Sequence, residues 1–393
     1  MSKPNKVLIL FSDTGGGHRA SGEAIVEALK LEYGDDVETE MVDVFVGYTP
    51  YPFSRFPRWY PYMVSERTKW LWGRGYRLSN TPRRSEALST TLYPYVRPSI
   101  RRMLRNHPAD VIVVVHGLMV TPILRALGRS RPPVVTVVTD LVSVHAFWFH
   151  TAVDFTITPT EAARQFAVNE QHLHPTRVKT IGLPVHQRFS QPRADKATLR
   201  EELGWQQDTK TVLLLSGGDG IGPLGEIAVG LANTGLPIQL AVVCGRNEKL
   251  YKELKGRQWD QPTHIYGFVR NMPDLMRAAD LLVTKAGPSS VMEGLNCGLP
   301  LVLSSAIPGQ EDGNVSYVVD NNAGIWAPTP ERVIAAVSEL LSAEAAQLQT
   351  MTENARALAR PDAAREIARE IGRFFFLQPP PGYGRTVSVA TQD

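Results

Sequence analysis

The sequence predicts an α/β protein built as two doubly wound lobes with a ligand cleft between them. Three observations predict it. Short β-branched apolar runs alternate with longer amphipathic stretches, and this alternation occurs in two successive series. The turns that follow the runs are polar or glycine-rich, as ligand-binding strand ends are in open α/β sheets. The chain also has 393 residues, with 43% apolar and 21% charged side chains, enough to bury two cores.

In order along the chain, the first series of strand candidates is 7–11, 37–42, 111–115, 134–138 and 155–157. The second is 212–215, 238–243, 264–266, 281–284 and 301–303. Several of these runs, such as 7–11 and 111–115, are apolar throughout, which suits parallel strands covered on both faces. A helix is expected over 20–31 and another from Gly287 to about Asn296, with further helical sequence past Pro328. The expected organisation is a first lobe at 1–186, a linker at 187–204, a second lobe at 205–376 and a tail at 377–393. The two cysteines, Cys244 and Cys297, supply no disulfide framework and suggest a reducing compartment. No apolar run reaches the roughly 18 residues of a membrane span. The expected location is therefore cytoplasmic.

Net charge is only +3, but it is unevenly spread. Residues 48–105 hold twelve basic side chains against two acidic ones, and twelve of the 32 aromatics. Such an insertion on an otherwise acidic chain calls for an anionic partner, either lipid headgroups or nucleic acid. The aromatics favour lipid, because they can insert at headgroup level. Arg55, Arg58, Trp59, Trp70, Trp72, Arg74 and Arg77 are the expected membrane contacts, on a peripheral protein that binds anionic lipid and no nucleic acid.

At the strand ends, three turns carry the chemistry. In the first, Gly15-Gly16-Gly17 lets the backbone approach a ligand, and His18 follows at a helix start. A neutral imidazole there suits a general base near pH 7. In the second, Ser216-Gly217-Gly218-Asp219-Gly220 reads as a turn that approaches a diphosphate. The segment Gly220-Ile-Gly222-Pro-Leu-Gly225 formally matches a dinucleotide fingerprint. It lacks the acid expected about 20 residues on, so a dinucleotide is not expected. In the third, Lys285-Ala-Gly287-Pro-Ser289-Ser290 opens a helix whose free N–H groups suit an anion, and Glu293 lies one turn further in.

The run from Ala279 to Pro300, followed by Pro308-Gly-Gln310-Glu311-Asp-Gly-Asn-Val315, resembles the donor site of nucleotide-sugar glycosyltransferases. Together with Phe11-Ser-Asp-Thr-Gly-Gly-Gly-His-Arg-Ala-Ser21, Val138-Thr-Asp140, His145, Trp148-Phe-His150 and Gly182-Leu-Pro-Val185, it is similar to the monogalactosyldiacylglycerol synthase family. The likeness runs from Lys6 to about Trp326.

It implies a GT-B fold of two Rossmann-like lobes. It also implies an inverting transfer of a hexose, galactose favoured, from a UDP-sugar to diacylglycerol at the membrane surface. By motif, His18 is the general base. Gly217, Gly218 and Asp219 line the diphosphate, beside Gly287, Ser289 and Ser290. Glu293 holds the ribose, Gln310 and Glu311 the sugar, and the Val269 backbone the uracil. Lys285 adds positive charge at the leaving diphosphate. Gly16, Gly17, His145 and Trp148 face the acceptor, and Asp140, or Asp13 in its place, orients His18. Ser216 and Asp219 stand where relatives often carry Gly and Glu, and Ser289-Ser290 replaces a Gly-Thr pair. These departures leave the preferred hexose open. No paired carboxylates have metal-like spacing, so neither metal nor cofactor is expected, the UDP-sugar being a substrate. The alternatives are another lipid or glycan acceptor, such as a processive glucosyl or peptidoglycan-intermediate type, and a UDP-sugar 2-epimerase.

Overall fold

The computed structural model describes residues 4–65, 67–191, 193–218, 220, 222–342 and 346–376. Two six-stranded parallel sheets form its frame. The first contains β1 (Asn5–Phe11), β2 (Val37–Asp43), β3 (Val111–Val114), β4 (Val134–Val137), β5 (Phe155–Thr158) and β6 (Val178–Thr180), in the order β2-β1-β3-β4-β5-β6. The second contains β7 (Lys210–Leu215), β8 (Ile238–Val243), β9 (Thr263–Tyr266), β10 (Leu281–Lys285), β11 (Leu301–Ser305) and β12 (Gly324–Trp326), in the order β12-β11-β10-β7-β8-β9. The ten expected strands are all present. The two unforeseen ones, β6 and β12, are three-residue edge strands too short to show a periodicity.

Continuous apolar runs are needed because both faces of each sheet are covered. In β1, Val7, Ile9 and Phe11 enter one core layer while Leu8 and Leu10 enter the layer on the opposite face. In β7, Leu213 and Leu215 point one way and Val212 and Leu214 the other. Helix α1 (Gly17–Tyr33) covers one face of the first sheet through Ser21, Ala24, Ile25, Ala28 and Leu29, spaced at successive helical turns, and ends at Gly34.

Parallel order places all the strand ends of a sheet on one side. The connection direction reverses between β1 and β3 in the first sheet and between β7 and β10 in the second. Ligands bind at such switch points. The glycine turns after β1 and β7 and the 286–287 turn after β10 all lie there.

Among the described residues the insertion forms a short 3-10 turn (Phe53–Arg55) and three α-helices, α2 (Phe56–Met63), α3 (Lys69–Ser79) and α4 (Pro82–Asn106). Thr81 caps α4 by accepting from the Arg84 N–H, and Pro82 takes the first helical position, where no N–H is needed. The last helix, Ala363–Phe376, follows the second sheet in sequence but packs on the first. Its Ala363, Ala364, Ile367, Ala368 and Ile371 lie in one core layer with Val7, Ile9 and Ile25.

Candidate active site

Gly15 and Gly16 take φ values of 73° and 81°, a left-handed pair that turns the chain sharply from β1 into α1. His18, one residue into the helix, is thereby brought over the strand ends. Its ring centroid is 4.5 Å from that of His116, which follows β3, and 6.1 Å from that of Trp148. Burial pushes the His18 pKa down to about 4, although the Val115 carbonyl and the charge of Asp13 favour the protonated form. The ring is neutral at pH 7 and able to accept a proton. His116, its Nε2 3.3 Å from Thr14 Oγ1, is driven well below the usual range by burial and by His18.

The partner of His18 is not the expected carboxylate. Its Nδ1 lies 2.7 Å from Thr139 Oγ1. Asp140, the next residue, instead accepts the Trp148 indole N–H at 2.8 Å, and burial raises its carboxyl pKa to about 6. Asp13 pairs with Arg19 at 3.1 Å. Successive residues leaving a strand point in opposite directions, so the hydroxyl and the carboxylate address different partners. Trp148 and His145 lie in the same loop. His145 receives the Phe147 N–H on Nδ1 at 3.1 Å and sits 3.0 Å from Ser79 Oγ of α3 through Nε2. Burial holds its pKa down at about 4.

On the second lobe, helix Pro288–Asn296 starts directly opposite α1. A Cβ on Gly17 would lie 2.9 Å from Ser289 Oγ, so two helix N-termini meet across the cleft. Gly287 precedes the helix in extended conformation, with no side-chain cap on its first turn. Beside it is a small pocket of about 70 Å³, lined by Gly15, Tyr60, Gly217, Gly218, Lys285 and Glu311. Lys285 Nζ lies 2.7 Å from Glu311 Oε1, and the other oxygen of Glu311 accepts the Ile307 N–H at 2.9 Å. The pocket thus holds the Lys285–Glu311 ion pair beside the glycine turn after β7, and the helix start at Pro288 lies close to it in sequence. Ser290 is half-buried in the same first turn. Asp219 lies outside the described residues.

Glu293, one turn into the helix, has its pKa pushed up to about 7 by burial, and among the described residues its carboxylate has no hydrogen bond or ion pair. Val269 follows β9 and is half-buried against the core. Next to it, Phe268 is 60% exposed, and the Arg246 guanidinium lies 5.4 Å from its ring centre.

The first lobe contains a cavity of about 710 Å³ with mostly aromatic and aliphatic walls. His18, Asp140 and Trp148 line its buried end, and the exposed Trp59, Tyr62 and Leu71 line its mouth. Arg55, Arg58, Trp70 and Arg74, which are close in sequence to the lining residues Phe56, Trp59, Leu71 and Gly75, are exposed. Trp72 differs from the expectation of a headgroup contact. It is half-buried, lines the cavity and donates its indole N–H to Gln310 Oε1 at 3.2 Å. Arg77 is exposed but pairs with Asp312 of the second lobe at 3.1 Å. Sequence reasoning missed Tyr60, Trp72 and Tyr76 as lining residues and Thr139 as the partner of His18. The aromatic density of the insertion was the available signal for the first three.

Among the described residues no group of three or more His, Cys, Asp and Glu side chains could hold a metal ion, and no helix is long and apolar enough to cross a membrane.

Comparison with known proteins agrees with this arrangement. The family described as monogalactosyldiacylglycerol (MGDG) synthase matches residues 18–185, and the glycosyltransferase family 28 C-terminal domain matches residues 225–367. A chloroplastic monogalactosyldiacylglycerol synthase of Spinacia oleracea is 38% identical over 382 residues, covering 94% of this chain and 72% of its own. Monogalactosyldiacylglycerol synthase 1 of Arabidopsis thaliana is 36% identical over 384 residues, covering 94% of this chain and 71% of its own. Among solved structures, MurG of Acinetobacter baumannii superposes with a TM-score of 0.60 at 16% identity, over 94% of this chain and 100% of that one. MnaA of S. aureus, solved with UDP, gives 0.64 at 14% identity, over 95% and 98%. These two speak to the fold alone. The sequence relatives, spanning both lobes, go further: the chain belongs to the monogalactosyldiacylglycerol synthase family of GT-B glycosyltransferases.

Proposed function

We propose that this protein transfers galactose from UDP-galactose to the free hydroxyl of diacylglycerol, with inversion, while docked on a membrane surface. The observation that carries the proposal is the aromatic-walled cavity of about 710 Å³, open at Trp59, Tyr62 and Leu71 and closed at His18. An acceptor with a polar end and apolar tails fits it: the glycerol hydroxyl reaches the imidazole while the distal acyl chains stay in the bilayer. Family membership supports the donor and the acceptor class.

His18, neutral at working pH, removes the proton of the acceptor hydroxyl as that oxygen attacks the anomeric carbon. Thr139 fixes the ring, and attack from the side opposite UDP inverts the centre. Charge developing on the departing diphosphate is met by the N–H groups of Ser289 and Ser290, by the Gly217-Gly218 turn and by Lys285. Glu293 accepts the ribose hydroxyls, the Val269 backbone pairs with uracil, and Gln310 and Glu311 contact the hexose. No step draws on a metal. Arg55, Arg58 and Arg74 attract anionic lipid to the mouth of the cavity, where the indoles of Trp59 and Trp70 insert.

The test is purified protein with diacylglycerol vesicles containing phosphatidylglycerol, given UDP-galactose or UDP-glucose in separate reactions with excess EDTA. A β-galactosyldiacylglycerol formed from UDP-galactose, unaffected by chelator, is expected. Glycolipid from neither donor, or epimerised UDP-sugar as the product, would overturn the assignment. Activity lost to EDTA and restored by Mg²⁺ would overturn its metal-free part.

A further inference from the structure

The insertion also reaches across the cleft to the second lobe. Trp72 on α3 donates to Gln310 Oε1 at 3.2 Å, and the Tyr60 hydroxyl on α2 addresses the same oxygen at 3.4 Å. The two rings meet edge to face, 5.5 Å apart with 85° between their planes. Beside Trp72, Gly73 packs so closely that a Cβ there would lie 2.8 Å from the Pro308 carbonyl oxygen. One turn on, Arg77 pairs with Asp312 at 3.1 Å, and Asp312 itself accepts the Gly309 N–H at 2.8 Å. One face of α3 thus grips the 308–312 loop. Tyr60 lines both the large cavity and the small pocket beside the glycine turns, so it stands between them.

A side-chain amide offers one carbonyl oxygen and one NH2 group. With two donors converging on Oε1, the amide of Gln310 is held in one orientation and its NH2 remains for a ligand. We propose that Tyr60 and Trp72 are positioning residues for the donor hexose. They hold the Gln310 amide so that its NH2 meets a hexose oxygen, and a segment of the first lobe thereby completes a sugar subsite on the second. This rests on the glycosyl-transfer reading above. It separates the two parts of the donor: Trp72 and Gln310 line the large cavity but not the small pocket assigned to the diphosphate, so the hexose depends on them and UDP does not.

The experiment compares UDP-galactose with UDP by calorimetry, and kcat/KM for UDP-galactose, in the wild type, Trp72→Phe, Gly73→Ala, Gln310→Ala and the Trp72→Phe/Gln310→Ala double variant. Trp72→Phe keeps an aromatic ring at the position but removes the indole N–H together with the volume of the five-membered ring. Ala at position 73 favours the helix itself but must push α3 away from the Pro308 carbonyl oxygen, which tests the packing of the helix on the 308–312 loop. Trp72→Phe and Gly73→Ala are each expected to weaken UDP-galactose binding and lower kcat/KM by roughly three- to ten-fold, the worth of one neutral hydrogen bond, with UDP affinity unchanged. The double variant is expected to be no worse than Gln310→Ala, because Trp72 acts through Gln310. Wild-type UDP-galactose affinity in Trp72→Phe, an equal loss of UDP affinity, or a full additional loss in the Gln310→Ala background would overturn the inference. Should the wild type turn over no UDP-hexose, the functional reading fails, while the calorimetric comparison still decides the role of Trp72.

Discussion

At the scale of single residues, the site is tuned by burial more than by charge pairing. His18 at about 4 and Glu293 at about 7 are displaced in opposite directions by the same cause, since desolvation disfavours the charged form of each. His18→Ala is expected to lower turnover by about 10² to 10⁴, the usual worth of a general base, while UDP still binds. Retention of a third of wild-type kcat would remove His18 from that role. For Glu293 the sign follows from which form binds. In the proposed contact the ribose hydroxyls donate to the carboxylate, so binding favours the anion, and affinity is expected to be full above the free-state value of about 7 and lost as pH falls below it. UDP-galactose, whose diphosphate does not titrate here, is expected to bind roughly tenfold more weakly at pH 6 than at pH 8. Glu293→Gln should flatten that profile, and a slope surviving in the variant would assign it to another group.

At the scale of elements, two helix N-termini confront each other across the cleft, and the insertion closes one side. Both helix starts were legible in the sequence, because glycines and prolines mark them at the ends of apolar runs. The orientation of the insertion was not. Its basic and aromatic residues alternate without a clean helical stripe, so Trp70 and Trp72 read alike, yet α3 turns the first to solvent and the second to Gln310. Arg55, Arg58 and Arg74 stay exposed, whereas Arg77 is committed to Asp312. The triple variant Arg55→Ser/Arg58→Ser/Arg74→Ser is therefore expected to weaken binding to phosphatidylglycerol vesicles by up to about 1 kcal/mol per residue, with UDP affinity unchanged. Sedimentation with anionic vesicles equal to that of the wild type would refute a docking role for this face.

At the scale of the whole molecule, the last helix ties the end of the chain back to the first sheet. Glu32 of α1 receives Arg365 at 2.6 Å and Arg369 at 2.9 Å, and Lys179 of β6 meets Glu370 at 2.6 Å. Ile367 is fully buried against the first-sheet core. Ile367→Ala is expected to destabilise that lobe by about 2–5 kcal/mol, read as an earlier urea transition. A loss below about 1 kcal/mol would mean the helix merely rests there.

The sequence by itself determined the class of the fold and the glycine-marked strand ends that meet at the cleft. A run apolar at every position can only be buried on both faces, and glycines cluster where backbone must approach a ligand. What only the tertiary structure decided is which side chains meet: Thr139 rather than Asp140 on His18, Trp72 on Gln310, and the terminal helix on the first sheet rather than the second. Those contacts join residues more than 100 positions apart. Local periodicity carries no information on such pairings, because they are selected by the summed packing of two complete lobes rather than by the neighbours of either residue along the chain.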